Sequence, residues 1–133
     1  MISKIHPIIL VGLGGLFGAI LRYVITLSLK NYQFLPLGTL VVNVIGSFAL
    51  GAVFALLNLQ VIDATWIPLI GTGFMGSFTT MSAFAVETLD LTANNSFELA
   101  LINFLLMMGL VFVGTILGRG FVTFLYPIII DVA

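Results

Sequence analysis

The sequence predicts an all-α membrane protein: four transmembrane helices per subunit, the third of them broken; the balance of charge at the span ends adds the expectation of an antiparallel dual-topology dimer. Three observations carry that prediction. Of the 133 residues, 61% are hydrophobic and only 7% charged, whereas a typical soluble domain is about 25% charged. Nine charged side chains cannot cover a water-facing surface. The apolar residues fall into four runs, each near the roughly 20 residues that a helix needs to cross a bilayer. The third run is interrupted by Gly71, Gly73, Gly76, Thr79, Thr80 and Ser82, where lipid-facing leucines would be expected. Irregular backbone at membrane depth survives only where protein or a water-filled cavity surrounds it, and discontinuous helices build ion and substrate sites at the midplane.

The first span is expected near Ile8–Leu29, ended by Lys30-Asn31, and the second near Leu37–Leu57, entered through Pro36. The third runs near Trp66–Leu91 with its break at Thr79–Ser82, and the fourth near Leu99–Phe124, closed by Tyr126-Pro127. Short connections predict that neighbours in sequence pack antiparallel, so residues 1–133 form a single four-helix domain. Gly14 and Gly18 are four apart, as are Gly114 and Gly118. Small residues at that spacing let helix backbones approach closely, which favours association in lipid.

Several classes are excluded. There are no cysteines, so disulfides and thiolate metal sites are absent. The net charge of -1 carries no clustered Lys and Arg, and so no nucleic-acid footprint. Gly71-x-Gly73-x-x-Gly76 matches a dinucleotide fingerprint, but that motif needs a preceding strand in a βαβ unit, and here it lies in a membrane run. Lys4 followed by an apolar run resembles a signal peptide; the run is too long and lacks a small-x-small cleavage site, so it reads as a retained span. His6, the one histidine, reads as an interfacial residue.

Orientation follows Lys and Arg near span ends. Lys4 and Arg119 belong to one side, Lys30 and Arg22 to the other, two against two. A chain with no bias can insert both ways, and oppositely inserted copies can pair about a twofold axis in the membrane plane; the alternative is a fixed topology set by a partner or by weak charge effects.

Thr39, Asn43 and Ser47 are spaced at i, i+4 and i+8, on one helix face. Two readings stand: an interhelical hydrogen-bond seam, or a line of donors for an anion, since an asparagine amide supplies N–H groups without a trapping charge. Arg22 within the first span either snorkels toward the Lys30 end or sets a positive charge in a vestibule. Glu87 is an interfacial carboxylate or part of a polar path with Thr80 and Ser82. Met81 and Phe84 are three apart on one face beyond the glycines, and the positive edge of an aromatic ring can contact a small anion. The Thr79–Ser82 break frees backbone carbonyls which, doubled across a twofold axis, would cage a hard cation of sodium size.

These residues carry a resemblance. Gly14-Gly15-x-x-Gly18-Ala19-x-x-Arg22-Tyr23, Gly38-Thr39-x-x-Val42-Asn43-x-x-Gly46-Ser47-Phe48 and Gly73-x-x-Gly76-x-x-Thr79-Thr80-x-Ser82-x-Phe84 closely resemble, in that order, the fluoride channel family (Fluc, also called CrcB). The match covers the first three spans; the fourth agrees only in character, and its one amide, Asn103, takes no assigned role. The resemblance implies an antiparallel homodimer with two fluoride pores in a prokaryotic cell membrane. It also implies a structural Na⁺ at the dimer centre, held by the carbonyls of Gly76 and Thr79. It puts the pore asparagine at Asn43, the vestibule arginine at Arg22 and a pore phenylalanine at Phe84, with Thr80, Ser82 and Glu87 on or near a polar track. One position departs: Met81 stands where the family usually has phenylalanine. Methionine fills space flexibly without a fixed aromatic edge.

The expected partners are therefore fluoride, membrane lipid and a second copy. Fluoride is small and strongly hydrated, so a path for it has to replace water with close donors. No ATP motif and no catalytic constellation is present. Two rivals are weaker. A small coupled exporter also uses four spans, but needs a deep acidic residue where this chain has Arg22. A scaffold built on the glycine faces leaves Thr39, Asn43, Ser47 and the broken span without a purpose.

Overall fold

The computed structural model describes residues 6–30 and 34–132, and shows helices and turns with no strand among them. Lys4, counted in the charge tally, and Asn31, placed at the end of the first span, lie outside the described residues. Helix α1 covers Pro7–Ser28. Pro7 suits its first turn because the missing N–H would have no helical partner there, and the exposed His6 caps it, Nδ1 accepting from Ile8 N at 3.4 Å. Helix α2 covers Leu37–Asn58 and starts at Pro36 without a side-chain cap. Asp63 then caps a 3₁₀ turn, Ala64–Trp66. The Thr65 backbone N–H donated to its carboxylate holds that carboxyl below its ordinary value.

The third span is in pieces. Pro68–Met75 is wound as a π-helix, a form usually confined to single turns and often found at functional sites. A single α-turn follows, α3 (Gly76–Phe78). The chain is then extended at Thr79 (φ -84°, ψ 157°) and Thr80 (φ -152°, ψ 108°), and helix resumes as α4 (Met81–Ala93). The break is therefore shorter than expected: it holds Thr79 and Thr80, while Ser82 lies in the first turn of α4. The reason is local, since Thr80 Oγ1 accepts from Ala83 N at 3.2 Å and so starts the new helix at once.

Helix α5 runs over Phe97–Val132, straight through Pro127. The sequence reading closed the fourth span there. At 1.5 Å per residue its 36 residues far exceed the roughly 30 Å hydrocarbon core. Pro127 thus falls near an end, where water or the interface can satisfy the carbonyl that its missing N–H releases.

Four helical segments are long and apolar enough to cross a membrane. Their packing differs from a chain of antiparallel hairpins. Gly38 does lie against Thr26 next to the α1–α2 connection, but the main partners are α1 with the π-helical stretch and α2 with α5. Positions advance together in these pairs: Gly14 meets Leu69 and Gly18 meets Phe74, while Asn43 meets Met107 and Phe48 meets Gly118. They run parallel. The expected glycine contacts are where they form. A Cβ on Gly14 or Gly18 would strike the carbonyls of Leu69 and Phe74, and one on Gly118 would strike that of Phe48. The buried core is small, centred on Leu40, Phe84 and Met107. The outer surface is apolar, with Phe17, Phe112, Ile116 and Phe124 exposed.

Candidate functional site

The break in the third span would leave the Thr80 peptide groups bare in the interior, and buried backbone groups are almost always paired. Asn43 on α2 pairs them. Its Oδ1 accepts from Thr80 N at 2.7 Å, and its Nδ2 donates to the Thr80 carbonyl at 3.0 Å. The side-chain amide thus stands in for a residue of a neighbouring strand. The N–H of Thr80 fixes which way the amide points, because only the oxygen can accept. The second amide hydrogen lies beside Met107 Sδ, 3.6 Å away. Asn43 is 6% exposed, and its donors are engaged within the protein. Thr79 is held separately, its N and Oγ1 both donating to the Met75 carbonyl at 3.0 Å. Gly46, nearly one turn along α2, leaves room first for the Thr79 methyl, which a Cβ there would strike, and then for the Phe78 ring, whose Cδ1 would sit 3.2 Å from that Cβ.

Polar groups continue on both sides of this clamp. Thr39, one turn before Asn43, donates Oγ1 to Glu87 Oε1 at 2.7 Å, while Glu87 Oε2 is buried with no partner among the described residues. A cavity of about 250 Å³ opens there, lined by Arg22, Thr39, Thr80 and Glu87. Arg22 is thus on a cavity wall, and it forms no ion pair with Glu87 within 4.0 Å. Glu87 also borders an outer hollow of about 230 Å³ with Asp90 and Asn94. On the other side of the clamp, Asn43, Ser47, Thr79, Met81 and Met107 line a further cavity of about 200 Å³. Thr80 Oγ1 and Ser82 Oγ are 3.2 Å apart. Thr39, Asn43, Ser47, Thr80, Ser82 and Glu87 therefore form one polar column beside the break. A larger hollow, about 650 Å³, sits by the Gln60–Ala64 turn and includes none of them.

Met81 and Phe84, three apart on one face, have different surroundings within one protomer. Met81 is 61% exposed and faces the cavity beside Ser47. Phe84 is 3% exposed, packed with Leu40 and Met107, its ring centroid 6.2 Å from that of Phe104. Spacing places both near one side of α4, but the helix starts at Met81, whose neighbourhood is the open break. Met107 and Thr88 were missed by sequence reasoning, and Asn103 was noted without a role. A lone amide in an apolar span was the available signal for Asn103; Met107 had none.

Together, these features define a multi-pass membrane protein with a polar column alongside an interrupted helix. The sequence pattern of the CrcB-like proteins (Camphor Resistance, CrcB) matches residues 9–119. Relatives agree over most of their length. A fluoride-specific ion channel FluC of Thermosipho melanesiensis is 40% identical over 120 residues, 84% of this chain and 95% of its own. The protein of the same name from Thermococcus onnurineus is 40% identical over 114 residues, 82% of this chain and 93% of its own. One from Shewanella sp. is 39% identical over 117 residues, 86% and 94% of the two chains. The chain belongs to the CrcB-like family. The relatives so named are ion channels, not enzymes.

Proposed function

We propose that the chain is a fluoride-selective channel of the prokaryotic cell membrane, exporting cytoplasmic fluoride by passive electrodiffusion through two pores of an antiparallel homodimer. The observation that carries this reading is the polar column at a helix break in a chain 40% identical to a channel named for fluoride. Hydroxyls and an amide offer hydrogen-bond donors without a fixed charge that would trap the ion. Arg22 draws anions into the cavity that Thr39, Thr80 and Glu87 complete. Asn43, Ser47, Thr80 and Ser82 replace lost water along the column, and Met81 and Phe84 supply apolar walls. Asn43 does this as the clamp that keeps the break open, so its amide exchanges partners as the ion passes. The driving force needs no ATP: one charge moving down 100 mV gains about 2.3 kcal/mol.

The same reading includes a sodium ion at the dimer centre, and the residues fit one. Among the described residues, no N–H or hydroxyl donates to the carbonyl oxygens of Gly76 or Thr79. Gly76 is exposed, and a Cβ there would meet nothing nearer than the Gly71 carbonyl at 3.8 Å. Packing within the protomer therefore does not require glycine, whereas close approach of a second copy would. Bound there, sodium would supply positive charge that ties the two breaks together. The balanced charges of Arg22 and Lys30 against Lys4 and Arg119 support insertion both ways, and the apolar outer surface suits lipid and a second copy.

The test is fluoride release from liposomes containing only this purified chain, driven by a potassium diffusion potential with no pH difference. The expected result is rapid efflux. Release no faster than from protein-free liposomes overturns the reading.

A further inference from the structure

Asn103 is 1% exposed, among the most buried side chains described, yet it lines none of the cavities along the polar column. Its Nδ2 donates to Thr88 Oγ1 at 2.9 Å. Thr88 Oγ1 in turn donates to the Phe84 carbonyl at 2.7 Å. The order is forced: an asparagine N–H can only donate, and the one hydroxyl hydrogen of Thr88 is used on Phe84, leaving a lone pair for Asn103. Phe104, the next residue on α5, lies tilted against the Phe84 ring at 32°. Helix α5 thus holds Phe84 at both ends, by its ring and, through Thr88, by its backbone. A hydroxyl bonded to the carbonyl four residues back bends a helix slightly, and here a second helix fixes that hydroxyl's position.

We propose that Asn103 is a positioning residue for conduction: through Thr88 it sets the path of α4, and with it the place of Phe84 beside the column. This rests on the channel reading. In hydrocarbon no water can replace the bond to Thr88, so losing it frees α4 between its two other ties, Asn43–Thr80 at its start and Thr39–Glu87 on α2. Movement of Phe84 relaxes discrimination against larger anions and also slows fluoride.

The experiment compares fluoride and chloride release from liposomes for the unmodified chain, Asn103→Leu, Thr88→Val, the double variant and Thr88→Ser. Dimer content and melting temperature are measured in parallel. The expected result is a fluoride-to-chloride ratio lowered roughly tenfold in either single variant, the equivalent of about one hydrogen bond. The double variant falls no further than Thr88→Val alone, because the bond from Asn103 is already lost with the hydroxyl. Thr88→Ser keeps the hydroxyl and restores the ratio. Should Asn103→Leu fail to fold, Thr88→Val decides alone. A melting temperature that falls while the ratio per folded channel stays unchanged overturns the inference and leaves the channel reading standing. No fluoride release from the unmodified chain overturns both.

Discussion

Upstream of Thr79, the third span lies against α1 through bare backbone; downstream of Thr80, it is tied by side-chain hydrogen bonds. In the first half, Gly14 and Gly18 of α1 meet Leu69 and Phe74, and Gly73 adds its own bare face, where a Cβ would sit 2.7 Å from the Val11 carbonyl. In the second, Asn43 holds Thr80, Thr39 holds Glu87 and Asn103 holds Thr88. Steric contact of this kind allows one arrangement and is indifferent to ions. Hydrogen bonds can be exchanged for bonds to a passing anion. The sterically fixed half and the hydrogen-bonded half meet at the break, where the proposed ion path would need both a fixed wall and replaceable partners.

The comparison breaks most sharply on the rigid side. Gly18→Val drives a side chain into the Phe74 backbone, with Phe74 Cα already 3.2 Å from a Cβ position. The cost exceeds the about 1–3 kcal/mol of ordinary overpacking because backbone cannot move aside. The expected outcome is loss of a monodisperse peak in detergent, checked by size exclusion. Next comes Asn43→Leu, which strands the N–H and carbonyl of Thr80 at about 1–3 kcal/mol each. Thermal melting should drop and fluoride efflux should cease. Asn43→Asp, once ionised, still accepts from Thr80 N but cannot donate to its carbonyl, whereas protonated it can do both, so its melting temperature falls as pH rises. Thr39→Val removes the 2.7 Å bond to Glu87 and leaves neither carboxylate oxygen with a partner among the described residues, about 1–3 kcal/mol, and efflux should slow severalfold with the fold intact. The smallest effect on stability is expected of Met81→Phe. At 61% exposure it should shift stability by no more than about 0.5 kcal/mol. Its readout is selectivity: Met81 lines the cavity beside Ser47, so a fixed ring edge there is expected to raise the fluoride-to-chloride ratio, and an unchanged ratio would take Met81 off the path.

Much of the fold was legible because its causes are local. Four apolar runs, a glycine- and threonine-rich gap in the third, and glycines four apart each report on their own neighbourhood. What stayed hidden depends on distant partners. The Thr39–Asn43–Ser47 face was visible, but not that the Asn43 amide would pair with a backbone 37 residues away. The parallel pairing of α1 with the third span and α2 with α5 arises from glycine contacts between non-adjacent segments, which short connections alone did not reveal. Asn103 was conspicuous as an amide, yet Thr88, its partner, looked like any other helical threonine. The extent of the break turned on a cap, Thr80 to Ala83, and the reach of α5 turned on where Pro127 falls relative to hydrocarbon.

The central claim is that the clamped break admits fluoride and excludes larger halides. The most direct measurement loads the same liposomes with fluoride and chloride, adds the unmodified chain alone, and follows both anions with selective electrodes after the membrane potential is applied. The account predicts that fluoride empties while chloride stays. Equal release of both anions, or release of neither, would contradict it.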